Sequence, residues 1–199
     1  MWRCWIYAGM FRSWGERHGK AGVTEAGLQK VGRKQPGDIR KLERQDRARI
    51  EEIVVSAGKF NDVEIRTAME LVDQALEKGE ESGYCFALIA DGKGRRHLRG
   101  YACYGPTPLT QGVYDLYWIV IAPEVQRQGF GGALLAQVER EVAGRRGRML
   151  LIETSSQESY GPTVDFYQRN GYRQEARIRD FYRIGDDKLI FSKELTPMR

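Results

Sequence analysis

The sequence predicts an α/β fold built on antiparallel hairpins, and three stretches carry that prediction. Tyr114 to Leu135 runs from an apolar strand through a proline-started, glycine-rich loop into the opening of a helix. Two strand-like runs, Tyr84 to Ala90 and Leu98 to Tyr104, flank Asp91-Gly92-Lys93-Gly94, which is hairpin-turn chemistry. Met149 to Glu153 is apolar up to its closing carboxylate, as in a strand covered on both faces.

Regular structure begins at Asp38. Residues 38 to 42 form a short first strand, and Glu43 to Val55 a helix whose Ile50, Ile53 and Val54 recur at one-turn spacing. Gly58-Lys59-Phe60-Asn61-Asp62 breaks that pattern. Asp62 then caps a second helix reaching Lys78, with Ile65, Ala68, Met69, Leu71, Val72 and Leu76 on its inner side. After the hairpin strands comes the central strand, Val113 to Ile121. The helix beyond the glycine loop buries Leu134, Leu135, Val138 and Val142 and stops near Gly144, where Arg145 and Arg146 meet its negative dipole end. Pro162 opens a fourth helix, and Asn170-Gly171 closes it in left-handed conformation. Tyr172 to Ile178 and Lys188 to Lys193 are the last strands, around a loop from Asp180 to Asp187.

A chain of 199 residues suits one domain with a full core. Residues 36–199 are expected to form it, and residues 1–35 an N-terminal extension to which no function is given. The extension holds seven Lys/Arg against two Asp/Glu, which equals the whole chain's net charge of +5. The remainder balances at 25 against 25, so the basic pI near 9.1 argues for no nucleic-acid binding by the folded body. No apolar run approaches the roughly 18 residues of a membrane span. The short Cys4 to Phe11 stretch lacks the cleavage site of a signal peptide, which favours the cytoplasm. Three cysteines without Cys-x-x-Cys spacing, and two histidines, imply neither a disulfide framework nor a metal site.

Gly129, Gly131 and Gly132 free the backbone to approach an anion, and the helix that follows aims its unpaired N–H groups at the same spot. That chemistry suits a diphosphate. A P-loop is excluded because no Gly-Lys-Ser/Thr stands at the helix start. A dinucleotide fold would use Gly129-Phe130-Gly131, but its third glycine is Leu134, and Ala122 to Gln128 is too long for its tight turn. The loop does match Gln-x-x-Gly-x-Gly, as Gln126-Arg127-Gln128-Gly129-Phe130-Gly131 after Ile121-Ala122-Pro123. Here the sequence resembles the GNAT superfamily of N-acetyltransferases, whose acyl-coenzyme A motif is Q/R-x-x-G-x-G/A. Phe166-Tyr167-Gln168-Arg169-Asn170-Gly171-Tyr172 follows at the family's spacing and is similar to its second signature, F-Y-x-x-x-G-F/Y. The resemblance spans residues 38–195. It implies a single-domain α/β fold with a mixed, mostly antiparallel central sheet flanked by about four helices.

The resemblance also implies acetyl-CoA as co-substrate, no metal, and an amine acceptor on a small molecule or a protein, with no membrane partner and room for a homodimer. The rival from another class is a non-catalytic acyl-CoA-binding module. Pantetheine would pair with the backbone of Ile119, Val120 and Ile121. The N–H groups of Gln126, Arg127, Gln128, Gly129, Phe130, Gly131, Gly132 and Ala133 would surround the pyrophosphate, and Arg127 could add its charge.

An amine of pKa about 10.4 must lose a proton before it attacks a thioester, and the departing thiolate must gain one. Tyr167 stands where many relatives place a general acid, although its helix position also suits a core-edge aromatic. For the base, Asp115 sits in an otherwise apolar strand where burial would raise its pKa, with Glu153 second; Asp115 could equally end the strand by bonding a backbone N–H. Strict alternation puts Asp115 with Tyr117, Ile119 and Ile121. Two positions depart from the family pattern: Tyr160 where Asn is common, and Thr163 where Ala is usual. Thr154, Ser155 and Ser156 suit either hydroxyl contacts to coenzyme A or turn chemistry. By the resemblance, Lys59 to Glu64 and Asp180 to Asp187 wall the acceptor site, and Asp62, Glu64, Asp180, Asp186 and Asp187 would attract a cationic amine.

Overall fold

Seven strands form one sheet in the order β1-β2-β3-β4-β5-β7-β6 among the described residues. The protein, a computed structural model, is described over residues 37–92 and 97–196. The expected extension over residues 1–35, and the Lys93-Gly94 half of the expected hairpin turn, lie outside them. The strands are β1 (Asp38–Arg40), β2 (Cys85–Ala90), β3 (Leu98–Pro106), β4 (Val113–Ile121), β5 (Met149–Ser155), β6 (Arg173–Arg183) and β7 (Asp186–Glu194). Every neighbouring pair is antiparallel except β4 with β5. This is the mixed, mostly antiparallel sheet that the family resemblance implied. Among the described residues four α-helices flank it: α1 (Arg47–Ser56), α2 (Asp62–Lys78), α3 (Phe130–Gly144) and α4 (Gly161–Arg169).

Local chemistry sets the helix ends. The cap of α2 is Asn61 and not Asp62: its side chain accepts from the N–H of Val63 and Glu64, while Glu64 reaches back to the Asn61 N–H. Either residue is a good cap, and Glu64 three positions on completes a capping box only for Asn61. Ahead of α1, Asp46 is fully buried and takes two hydrogen bonds of 2.7 Å from Arg40, tying β1 to the helix start. Gly171 closes α4 at φ 85°. Among the described residues no helix is long and apolar enough to cross a membrane.

The register assigns the faces. Tyr104, Leu116, Ile152 and Phe191 form one cross-strand row, and Gly105, Asp115, Leu151 and Ser192 the next, so the two rows face opposite sides. The first row faces α3 and α4: Tyr104 donates to Glu141, and the Phe191 ring lies 6.2 Å from that of Tyr167. This is the back. The front carries the loop between α1 and α2, whose Phe60 ring meets Trp118 edge-on at 5.0 Å. Ile50, Ile53, Leu88, Leu98, Leu134, Leu135 and Leu150 are fully buried in the core around the sheet.

Candidate active site

The site is an opening in the sheet. β4 and β5 pair only from Val113 with Met149 to Leu116 with Ile152. Beyond that point β3 holds β4 as far as Ile121, and β7 holds β5 as far as Ser155, so the two parallel strands part company. A β-bulge marks the division: Cys103 pairs with Trp118 and Tyr104 with Leu116, leaving Tyr117 as an extra residue in β4. The bulge also corrects the expected alternation. Asp115 shares the front with Trp118 and Val120, while Leu116, Ile119 and Ile121 face the back.

The bulge decides which backbone groups border the opening. Ala122 donates to Arg99 of β3, and in an antiparallel ladder every second residue does likewise. Val120 therefore spends its N–H and C=O on Tyr101, and is withdrawn from the set of three expected to pair with pantetheine. Ile119 and Ile121 turn theirs toward the opening. The Ile121 carbonyl already accepts from the Gln126 side chain at 3.2 Å.

At the end of β4, Pro123–Val125 makes one 3-10 turn and the chain enters α3 through two left-handed residues, Arg127 (φ 61°) and Gly129 (φ 91°). Buried Phe130 anchors the helix start. The anion cradle is narrower than expected. The Gln126 N–H is used on Pro123 and that of Ala133 on Gly129. The N–H groups of Arg127, Gln128, Gly129, Phe130, Gly131 and Gly132 find no acceptor among the described residues. They cluster where the helix dipole is positive, the donor set a diphosphate needs. A Cβ on Gly131 would meet the Phe166 ring at 3.5 Å, so α4 packs directly behind the cradle. The Arg127 side chain is exposed and makes no ion pair among the described residues.

Tyr167 stands on the back, 5% exposed, with its ring 5.9 Å from Tyr172 and 5.4 Å from Phe166. Burial holds its phenol well above the ordinary value, so it stays protonated. Asp115 and Glu153 stand on the front. Asp115 is half-buried and accepts from the Thr107 hydroxyl at 2.8 Å. Burial raises its pKa, and the Glu153 charge pushes the same way. Asp115 lies where β4 and β5 are still paired, whereas Glu153 is the first residue of β5 past the split. Glu153 forms an ion pair with Lys188 of β7, a residue that sequence reasoning missed. The available signal was one lysine opening the run Lys188-Leu189-Ile190-Phe191.

The carboxylates expected to draw in an amine have structural work instead. Asp187 accepts from the Asp180 N–H at 2.8 Å and pairs with Arg177, while Asp180 accepts from the Gly185 N–H. Asp186 binds the Ser155 hydroxyl and the Gln157 amide, and Glu64 caps α2. Asp62 is exposed beside that cap. Ser155 and Ser156 take part in turn chemistry, Ser156 accepting from the Asp187 N–H at 2.8 Å. Lys59 lies 5.9 Å over the Tyr160 ring, so the loop before α2 reaches across to the segment after β5. A surface hollow of about 640 Å³ lies between the segment after β5 and the β6–β7 turn, lined by Ser156, Gln157, Glu158, Ser159, Arg183, Ile184 and Gly185.

A split parallel pair with an amide cradle at one end is the architecture of an enzyme that takes an acyl group from an acyl-CoA. The chain belongs to the GNAT family of acetyltransferases. The family profile described as an acetyltransferase (GNAT) domain matches residues 80–174. A GNAT-family crystal structure from Desulfovibrio desulfuricans is 44% identical, with a TM-score of 0.76, over 79% of this chain and 98% of that one. The ribosomal-protein-S18-alanine N-acetyltransferase from Escherichia coli is 20% identical, with a TM-score of 0.64, over 82% of this chain and 96% of its own. An aminoglycoside 6'-N-acetyltransferase complexed with coenzyme A is 14% identical, with a TM-score of 0.61, over 81% and 99%. These last two are similar in fold. No curated protein matches the sequence.

Proposed function

We propose that this enzyme moves an acetyl group from acetyl-CoA to a primary amine by direct attack in a ternary complex. One observation supports this reading above the others: the sheet opens between a face that carries the buried Tyr167 phenol and a face that carries the Asp115 and Glu153 carboxylates. The amides from Arg127 to Gly132 would hold the diphosphate, and the main chain of Ile119 and Ile121 would receive the pantetheine arm as an added strand. The thioester then lies between β4 and β5, with Tyr167 behind it and Glu153 in front.

The amine enters from the front, past Phe60, Trp118 and Tyr160, and gives up a proton to Glu153 directly or through one water. Its nitrogen forms the new bond to the carbonyl carbon, the C–S bond breaks, and Tyr167 supplies the proton that makes the thiolate a thiol. Burial weakens Tyr167 as an acid, but a thiolate formed in the same apolar pocket is raised by the same desolvation, so the two remain matched. Asp115, more buried and harder to ionise, supports Glu153 from the neighbouring strand β4 on the same face.

The experiment is to incubate the full chain with acetyl-CoA and a panel of primary amines on small molecules and peptides, following free thiol. Amine-dependent thiol release with a matching acetylated product is the expected result. Cofactor binding without turnover on any amine would replace the transferase reading with that of an acyl-CoA-binding module.

A further inference from the structure

Lys188 is an ammonium in a place where the fold does not require one. Its side chain is 14% exposed, it occupies the β7 position opposite Ser155, and Leu189, Ile190 and Phe191 continue the strand beyond it. Removing an ammonium from water costs several kcal/mol, and an apolar residue would fill the same space without that cost. The ion pair with Glu153 and the Phe181 ring, whose centroid lies 4.6 Å from Nζ, fix it in one position. Register puts Asp115, Glu153 and Lys188 on the same face of the sheet, at the point where β4 and β5 separate.

We propose that Lys188 is a positioning residue for acetyl transfer: from the β7 side of β5 it fixes the half-exposed Glu153 in one place on the front face, and its charge offsets the repulsion between Glu153 and Asp115. The inference rests on the transferase reading above. The groups that act on Asp115 are the Thr107 hydroxyl, Glu153 and Lys188, and the two charges oppose each other, Glu153 favouring protonation and Lys188 ionisation. Burial keeps the Tyr182 phenol of β6 protonated, and the Glu153 charge pushes the same way. Without Lys188 the cation that opposes the Glu153 charge at Asp115 is gone, and Asp115 takes up its proton at higher pH.

Lys188→Met and Lys188→Arg test this. In Lys188→Met the acidic limb of the kcat/KM profile should move up by about one pH unit, and the rate on its slope should fall about tenfold, with KM for acetyl-CoA unchanged. Lys188→Arg should restore the limb. Carbon-13 titration of the Asp and Glu carboxyls should show the same displacement with no substrate present. A rate lowered equally at every pH, with carboxyl titrations identical in wild type and Lys188→Met, would overturn the proposal. If the wild-type chain releases no thiol with any amine, the transferase reading fails, while the carboxyl titration still decides the coupling.

Discussion

In the proposed mechanism Tyr167, Glu153 and Asp115 divide the chemistry, and the surroundings of Tyr167 and Asp115 suit them to their parts. Tyr167, enclosed by Phe166, Tyr172 and Phe191, is a phenol that burial keeps protonated. Replacing it with Phe removes one hydroxyl from a packed helix. Thiol release should drop about 100-fold in kcat while coenzyme A affinity, read by calorimetry, stays put. Asp115 makes a separate prediction about stability. Its folded pKa is raised, so the folded state holds the proton more tightly than the unfolded chain. That stabilisation is fully present in acid and is lost as pH climbs from the unfolded value through the folded one. Asp115→Asn keeps an acceptor for Thr107 and removes the buried charge. It should melt higher than wild type at pH 7, with the gap closing toward pH 4; a gap that widens in acid would contradict the raised pKa.

The strand, loop and helix from Val113 to Gly144 form the proposed binding element, and its chemistry is local enough to read from sequence. Glycines at 129, 131 and 132 announce bare backbone at a helix start. What a local pattern could not reveal is which N–H groups were already engaged, since Gln126 and Ala133 are used by ordinary turn and helix geometry. Nor does Leu-Tyr-Trp announce a bulge. The extra residue at Tyr117 exists because Tyr104 pairs with Leu116 and Cys103 with Trp118, a relation between strands far apart in sequence. Gly129 offers the direct test of the element. At φ 91° an added Cβ costs about 1–2 kcal/mol and tilts the cradle. Gly129→Ala should weaken coenzyme A binding about tenfold by calorimetric titration, and unchanged affinity would mean that the diphosphate lies elsewhere.

Across the whole molecule, the sheet is two antiparallel blocks, β1 to β4 and β5 to β7, joined by four residue pairs of parallel ladder. Beyond those four pairs each block is held by its own antiparallel ladders, so the sheet opens between them and leaves main-chain groups of Ile119 and Ile121 facing the opening. Hydrophobic period and turn chemistry made the elements legible, and the GNAT resemblance supplied their order. The front of the site was the part least legible. Asp180, Asp186 and Asp187 looked free as a charged loop, but β6 runs on to Arg183, and folding buries Asp186 and Asp187 and gives all three carboxylates hydrogen-bond partners. Lys188 looked like one more strand lysine until β5 brought Glu153 beside it. The decisive measurement is a calorimetric titration of acetyl-CoA into the full chain. Saturable heat at one equivalent is expected from a single cradle beside a single opening; no heat from a chain that circular dichroism shows to be folded would remove the basis for placing an acyl-CoA between β4 and β5.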